Sequence, residues 1–135
     1  MKQNTSVNIT EKDKLDLELI QKENTGSTIG VLACIVRSIS ANQSRQIIFQ
    51  KAKGIQSSNT LQPAQLATFS SFLSLLTSII LGNVAFVRLK ELEDSIKSGT
   101  SKLSITPDVN ISTGYSLDVL GNFIKLLGRL QKLNE

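Results

Sequence analysis

The sequence predicts a mainly α protein: three long helices in an elongated hairpin or bundle, a short N-terminal segment, and room for a small β element. Three observations carry this reading. Apolar residues recur at spacings of three and four over three separate stretches, as they do in helices with a covered face. The two prolines, Pro63 and Pro107, fall at or between the ends of those stretches and never inside one. Aromatics make up 4 % and charged residues 19 % of the 135 residues. The charged share is below the usual quarter, so the core has to be aliphatic. A chain of this length matches one domain and can bury a core without disulfides or metals.

Residues 1–25 read as an N-terminal arm. "TSVNIT", residues 5–10, alternates as a strand does, with Val7 and Ile9 on one side. "DKLDLELI", residues 13–20, alternates too, yet Thr10 with Asp13 three residues on also fits the start of a short helix. Both readings stay open for residues 11–20. "ENTGST", residues 23–28, reads as a break.

Residues 26–54 form the first expected helix. Ile29, Leu32, Val36, Ile39 and Ile47 make its apolar row, and Gly26, Gly30, Ala33, Ser38 and Ala41 make a row of small residues beside it. Gly54 suits a glycine C-terminus. After a polar linker comes the central helix, residues 62–97, with Pro63 in the first turn, where a missing N–H costs nothing. At about 1.5 Å per residue it would run about 54 Å. A compact globule of this size is only about 37 Å across. Either the helix kinks at Gly82-Asn83 or the molecule is elongated. Residues 98–114 read as an extended linker, with Leu103, Ile105, Val109 and Ile111 alternating around Pro107. Its "VNIS" echoes "VNIT" at 7–10, which would suit pairing of the two segments in a small sheet. Residues 115–133 are the last helix, with one stripe at Leu117, Leu120, Ile124 and Leu127 and a second at Val119, Phe123, Leu126, Leu130 and Leu133.

The stretch "TFSSFLSLLTSIILGNVAFVRLKEL", residues 68–92, poses the functional question. Residues 66–87 carry no charge and are long enough to span a hydrocarbon core of about 30 Å. Ser71, Ser74, Ser78, Gly82 and Ala85 form a small-residue row that lets helix backbones approach closely, in lipid or in protein. Asn83 inside the run and the lack of Trp or Tyr at its ends favour a helix packed between protein neighbours.

The chemistry is mostly exclusion. There is no histidine, which removes the commonest general base and metal ligand. The single cysteine, Cys34, lies in an apolar run, where a small buried hydrophobe is the expectation. No phosphate-cradling glycine loop or nucleophile-elbow motif occurs. We therefore expect no catalytic residues, no metal ligands, no cofactor and no small-molecule substrate. The net charge of +4 is spread without a basic run or interleaved aromatics, so nucleic acid is not an expected partner. No secretory signal is visible, which points to cytoplasmic synthesis and is compatible with a place in an extracellular or particle assembly.

The expected function is a non-enzymatic, self-assembling structural subunit of coat, shell or filament type, with itself as partner. Its packing interface would comprise Ser71, Ser74, Ser78, Gly82 and Ala85, together with Phe123, Leu126 and Leu130. The alternatives are a small oligomerising membrane protein, pore-former-like, with a span near 66–87, and a helical adaptor that binds a partner's helix.

Overall fold

The computed structural model describes residues 9–56 and 61–134 and consists of three helices. They are α1 (Glu11–Ala52), α2 (Gln62–Lys97) and α3 (Thr106–Leu133). No strand occurs among the described residues. Of the strand expected at residues 5–10 only residues 9 and 10 are described, and they are not in a strand; its pairing with the 98–114 segment lies partly outside the described residues.

The start of α1 resolves the choice left open at residues 11–20. Thr10 and Asp13 form a capping box: the Asp13 N–H donates to Thr10 Oγ1 at 3.2 Å, and the Thr10 N–H donates to Asp13 Oδ2 at 2.9 Å. From there α1 runs for 42 residues, through the expected break at "ENTGST". So the helix does not begin at residue 26, and residues 11–25 are not an arm. Two local features permit this. Thr25 and Thr28 each donate to the carbonyl four residues back, at 2.9 and 2.8 Å, which keeps their hydroxyls inside the helical pattern. Gly26 is fully buried against α2, and that contact outweighs its poor helix propensity. At the other end Gly54, at φ +73°, takes the left-handed position after the helix. The Ile55 N–H then reaches back to Gln50 O and the Gly54 N–H to Lys51 O.

Helix α2 spans the residues expected of it and continues through Gly82-Asn83. Gly99, at φ +72°, ends it with the same pair of back-bonds, Thr100 to Ser95 O and Gly99 to Ile96 O. Helix α3 begins at Thr106, not at residue 115. Pro107 sits in its first turn, where its fixed φ favours the helix, so Val109 and Ile111 are helical and not part of an extended arm. Thr113 and Ser116 bond back to Val109 O and Ser112 O.

The topology is a meander with α2 in the middle. It packs on α1 along one side and on α3 along another, while no Cα of α1 comes within 8 Å of one in α3. The α1–α2 seam repeats every seven residues. Leu19, Gly26, Ala33 and Ser40 are the fully buried residues of α1. Opposite them on α2, by the same seven-residue step, stand Pro63, Ser70, Thr77 and Val84. The second seam joins Ser71, Ser78, Gly82 and Ala85 of α2 to Ser112, Tyr115, Val119 and Asn122 of α3. At 100° per residue these two seams lie about 120° apart around α2, so the three helices form one bent layer.

Small side chains set the closeness of both seams. A Cβ on Gly26 would stand 2.9 Å from Leu81 Cδ2 and 3.2 Å from Ile80 Cγ2, and one on Gly30 would stand 3.3 Å from Thr77 Cγ2. Hydroxyls bond across the same gaps. Ser70 Oγ donates to Ala33 O at 2.8 Å and Ser40 Oγ donates to Pro63 O at 2.7 Å, both buried. Asn122 Nδ2 donates to Ser78 Oγ at 2.6 Å. Cys34 is exposed on α1, which corrects the expected burial: the seam takes its neighbour Ala33.

Candidate assembly interface

Large apolar side chains point away from this layer. Among the described residues, the buried hydrophobics are only Leu19, Ala33, Val84 and Ala85. The phenylalanines and most of the large aliphatics stay exposed. On α2, Phe72, Ile79 and Phe86 recur every seven residues at 44 %, 47 % and 51 % exposure, with Phe69 beside them.

The sides of the layer can be told apart by what lines its surface hollows. Ile79 and Asn83 of α2 line one hollow with Glu18, Lys22 and Thr25 of α1. Together with Phe86 they line another with Tyr115, Ser116 and Val119 of α3. So these residues share one face. Seven-residue steps carry that face from Thr25 to Leu32 and Ile39 on α1, and from Ser116 to Val109, Phe123 and Leu130 on α3, with Leu120 and Leu127 adjacent. All of these apolar residues are at least 40 % exposed. The result is one broad apolar face crossing three helices.

The opposite face is concave, charged at one end and largely aliphatic at the other. There α1 and α3 both border clefts floored by α2. At one end Lys12, Asp16, Arg88, Glu91 and Asp108 line the cleft; at the other end Ser40, Ser44 and Arg129 line it with Ile47, Ile48, Pro63, Ala64 and Ala67. Arg37 Nη2 donates to Ser74 Oγ at 3.2 Å, and Arg88 pairs with Glu23 at 3.0 Å.

The residues expected at the interface divide between two roles. Ser71, Ser78, Gly82 and Ala85 are buried within the chain, in the α2–α3 seam. Ser74 is half-buried and bonded to Arg37. Leu126 is half-buried, on the 3-4 spaced stripe of α3 that meets α2. Phe123 and Leu130 belong to the apolar face, 47 % and 43 % exposed. The face on α2, Phe69, Phe72, Ile79 and Phe86, was not among the expected interface residues. The seven-residue spacing of its members was the available signal.

No group of three or more acidic, cysteine or histidine side chains is placed to hold a metal ion among the described residues. Of the titratable groups, Asp13 is held below the ordinary aspartate range. The cause is first the Thr10 hydroxyl bond and then the Thr10 backbone bond, both in the capping box. No family model, curated protein or solved structure matches the chain.

Proposed function

We propose that the chain is a non-enzymatic structural subunit that assembles with copies of itself by burying its apolar face. The observation that carries the reading is that the molecule is one layer. A helix layer with one apolar face reaches a stable architecture when a second layer covers that face. Here the chain supplies the first layer and exposes Phe69, Phe72, Ile79, Phe86, Phe123 and Leu130. A contiguous apolar face of that breadth is foreign to a soluble monomer and marks an interaction surface. A second copy, placed face to face, has the matching chemistry, because a symmetric contact uses the same patch twice. The concave face, which carries Arg37, Arg88 and Arg129, would lie outside that contact.

A second reading has its own observation. Helix α2 is long and apolar enough to cross a membrane, and only 22 % of its most apolar window is buried. Small residues in the seams with large apolar residues outside is also the arrangement of packed membrane helices. Against full immersion stands Arg37. It lies on the concave side, bonded to Ser74 inside the 66–87 run, where a bilayer core would penalise it. The two readings separate by fractionation without detergent. Self-assembly predicts a soluble chain that sediments as an oligomer. Recovery only in detergent, with resistance to carbonate extraction, would favour the membrane oligomer instead.

A further inference from the structure

The charges of this molecule are segregated along its long axis. All four ion pairs among the described residues, Lys14–Glu11, Lys22–Glu18, Arg88–Glu23 and Lys97–Glu93, lie at the end where α1 begins and α2 finishes. Apart from Asp118, every described acidic side chain lies at that end too. The other end carries Arg45 and Lys51 of α1, Lys53 just after it, and Arg129 and Lys132 of α3, and none of these cations pairs with a described carboxylate.

That basic end is also apolar at its tip. Ser40 is the last fully buried residue of α1, and beyond it only Gln43 and Ile47 are partly covered. Residues 41–52 therefore carry α1 about 18 Å farther along its axis at about 1.5 Å each. On this projection Ile48 and Phe49 are 67 % and 54 % exposed, and Ile55 after the turn is 54 % exposed. At 100° per residue Ile48, Phe49 and Ala52 share one side of the helix, and Lys51 and Lys53 flank that side to left and right. Arg45 lies over the Phe49 ring, 5.4 Å from its centre. Arg129 of α3 lines the same cleft as Ser44 and Ile48, adding a cation from a second helix.

We propose that this tip docks on an anionic lipid surface, with Ile48, Phe49 and Ile55 entering the headgroup boundary and Arg45, Lys51 and Lys53 meeting lipid phosphates or carboxylates. Charge complementarity names the partner: a basic rim, unpaired among the described residues, around exposed apolar side chains is the pattern of interfacial membrane binding, in which both components contribute. A nucleic acid would use the cations and leave the two isoleucines in water. The tip is separate from the apolar face of the layer, so the proposal stands independently of assembly.

The test is flotation of the full-length protein with vesicles of pure phosphatidylcholine and with vesicles in which a third of that lipid is replaced by phosphatidylserine. Three chains are compared: wild type, Lys51→Gln with Lys53→Gln, and Ile48→Ser with Phe49→Ser. All these positions are exposed, so the fold should survive, and sedimentation velocity without lipid confirms an unchanged assembly state. The expectation is binding to the anionic vesicles that weakens with salt, with a loss of about 30-fold in partitioning for the double lysine variant. The double serine variant should also lose binding. Equal partition of the wild type onto both vesicle types overturns the proposal. So does unchanged binding in either variant. Salt-sensitive binding to a single-stranded oligonucleotide that tolerates the serine changes, in a chain that ignores vesicles, would assign the tip to nucleic acid.

Discussion

Gly26 offers a test of the α1–α2 seam in which two effects of known size oppose each other. Replacing a glycine by alanine inside a helix ordinarily stabilises by about 1 kcal/mol, because the glycine loses more backbone freedom on folding. At Gly114 and Gly128 of α3 an added Cβ meets nothing within 4 Å. Alanine there should deliver that gain in full. At Gly26 the new Cβ would stand 2.9 Å from Leu81 Cδ2, 3.1 Å from Leu81 Cγ and 3.2 Å from Ile80 Cγ2. The Leu81 methyl can swing away. The Leu81 branch carbon and the Ile80 methyl cannot both retreat without shifting the seam. Overpacking of that kind costs about 1–3 kcal/mol. After subtracting the helix gain, Gly26→Ala should be destabilising by about 0–2 kcal/mol, while Gly114→Ala and Gly128→Ala stabilise by up to about 1 kcal/mol. Chemical denaturation followed by circular dichroism reads the differences, with all chains at one protein concentration because association shifts apparent stability. If Gly26→Ala stabilises as much as Gly128→Ala, α1 and α2 do not approach each other as described.

Other outcomes follow from single contacts. Ser70→Ala removes the buried bond to Ala33 O and should cost about 1 kcal/mol by the same denaturation assay. An unchanged midpoint would mean that the hydroxyl contributes nothing to the seam. Gly82→Leu should disrupt α2–α3 packing by more than Gly26→Ala disrupts α1–α2, since even a Cβ there already touches Tyr115 Cβ at 3.4 Å. A wild-type melting curve for that variant would contradict the seam. The capping box gives a pH dependence at one place. Because the folded-state pKa of Asp13 is depressed, its stabilising effect is complete above the unfolded aspartate value of about 3.9 and fades as pH falls through the lower folded value. Protection of the first-turn amides of α1 against exchange, taken relative to the intrinsic rate at each pH, should therefore fall in that acid window in the wild type and show no such step in Asp13→Asn.

Much of the fold was legible from periodicity. The bounds of α2, its first-turn proline and the glycine ending α1 each follow from residue chemistry that acts locally. The errors came where a tertiary contact overrode a local signal. "ENTGST" contains the residues of a break, yet the threonines bond back along the helix and Gly26 is the residue that lets α2 come close. Pro107 was read as interrupting an extended arm when it opens α3. The apolar face was half legible for a similar reason. The stripe Val119, Phe123, Leu126 and Leu130 looked continuous, but a helix turns about 100° per residue, so that stripe straddles a boundary. Val119 and Leu126 turn toward α2, while Phe123 and Leu130 stay outside. The small-residue row of α2 was recognised as a packing surface. Nothing in the sequence told whether its partner was the chain's own α3 or another molecule.

Sedimentation velocity in detergent-free buffer tests the central claim most directly, on the wild type and on the chain carrying Phe123→Asp with Leu130→Asp. Both positions lie on the apolar face and outside the α2–α3 seam, so the variant should keep its helix content. Two carboxylates per copy buried in an assembly contact would be strongly unfavourable. The account predicts an oligomeric wild type and a variant that sediments as the 14.7 kDa monomer. A wild type that is itself a monodisperse monomer, or a variant that assembles as the wild type does, would contradict it.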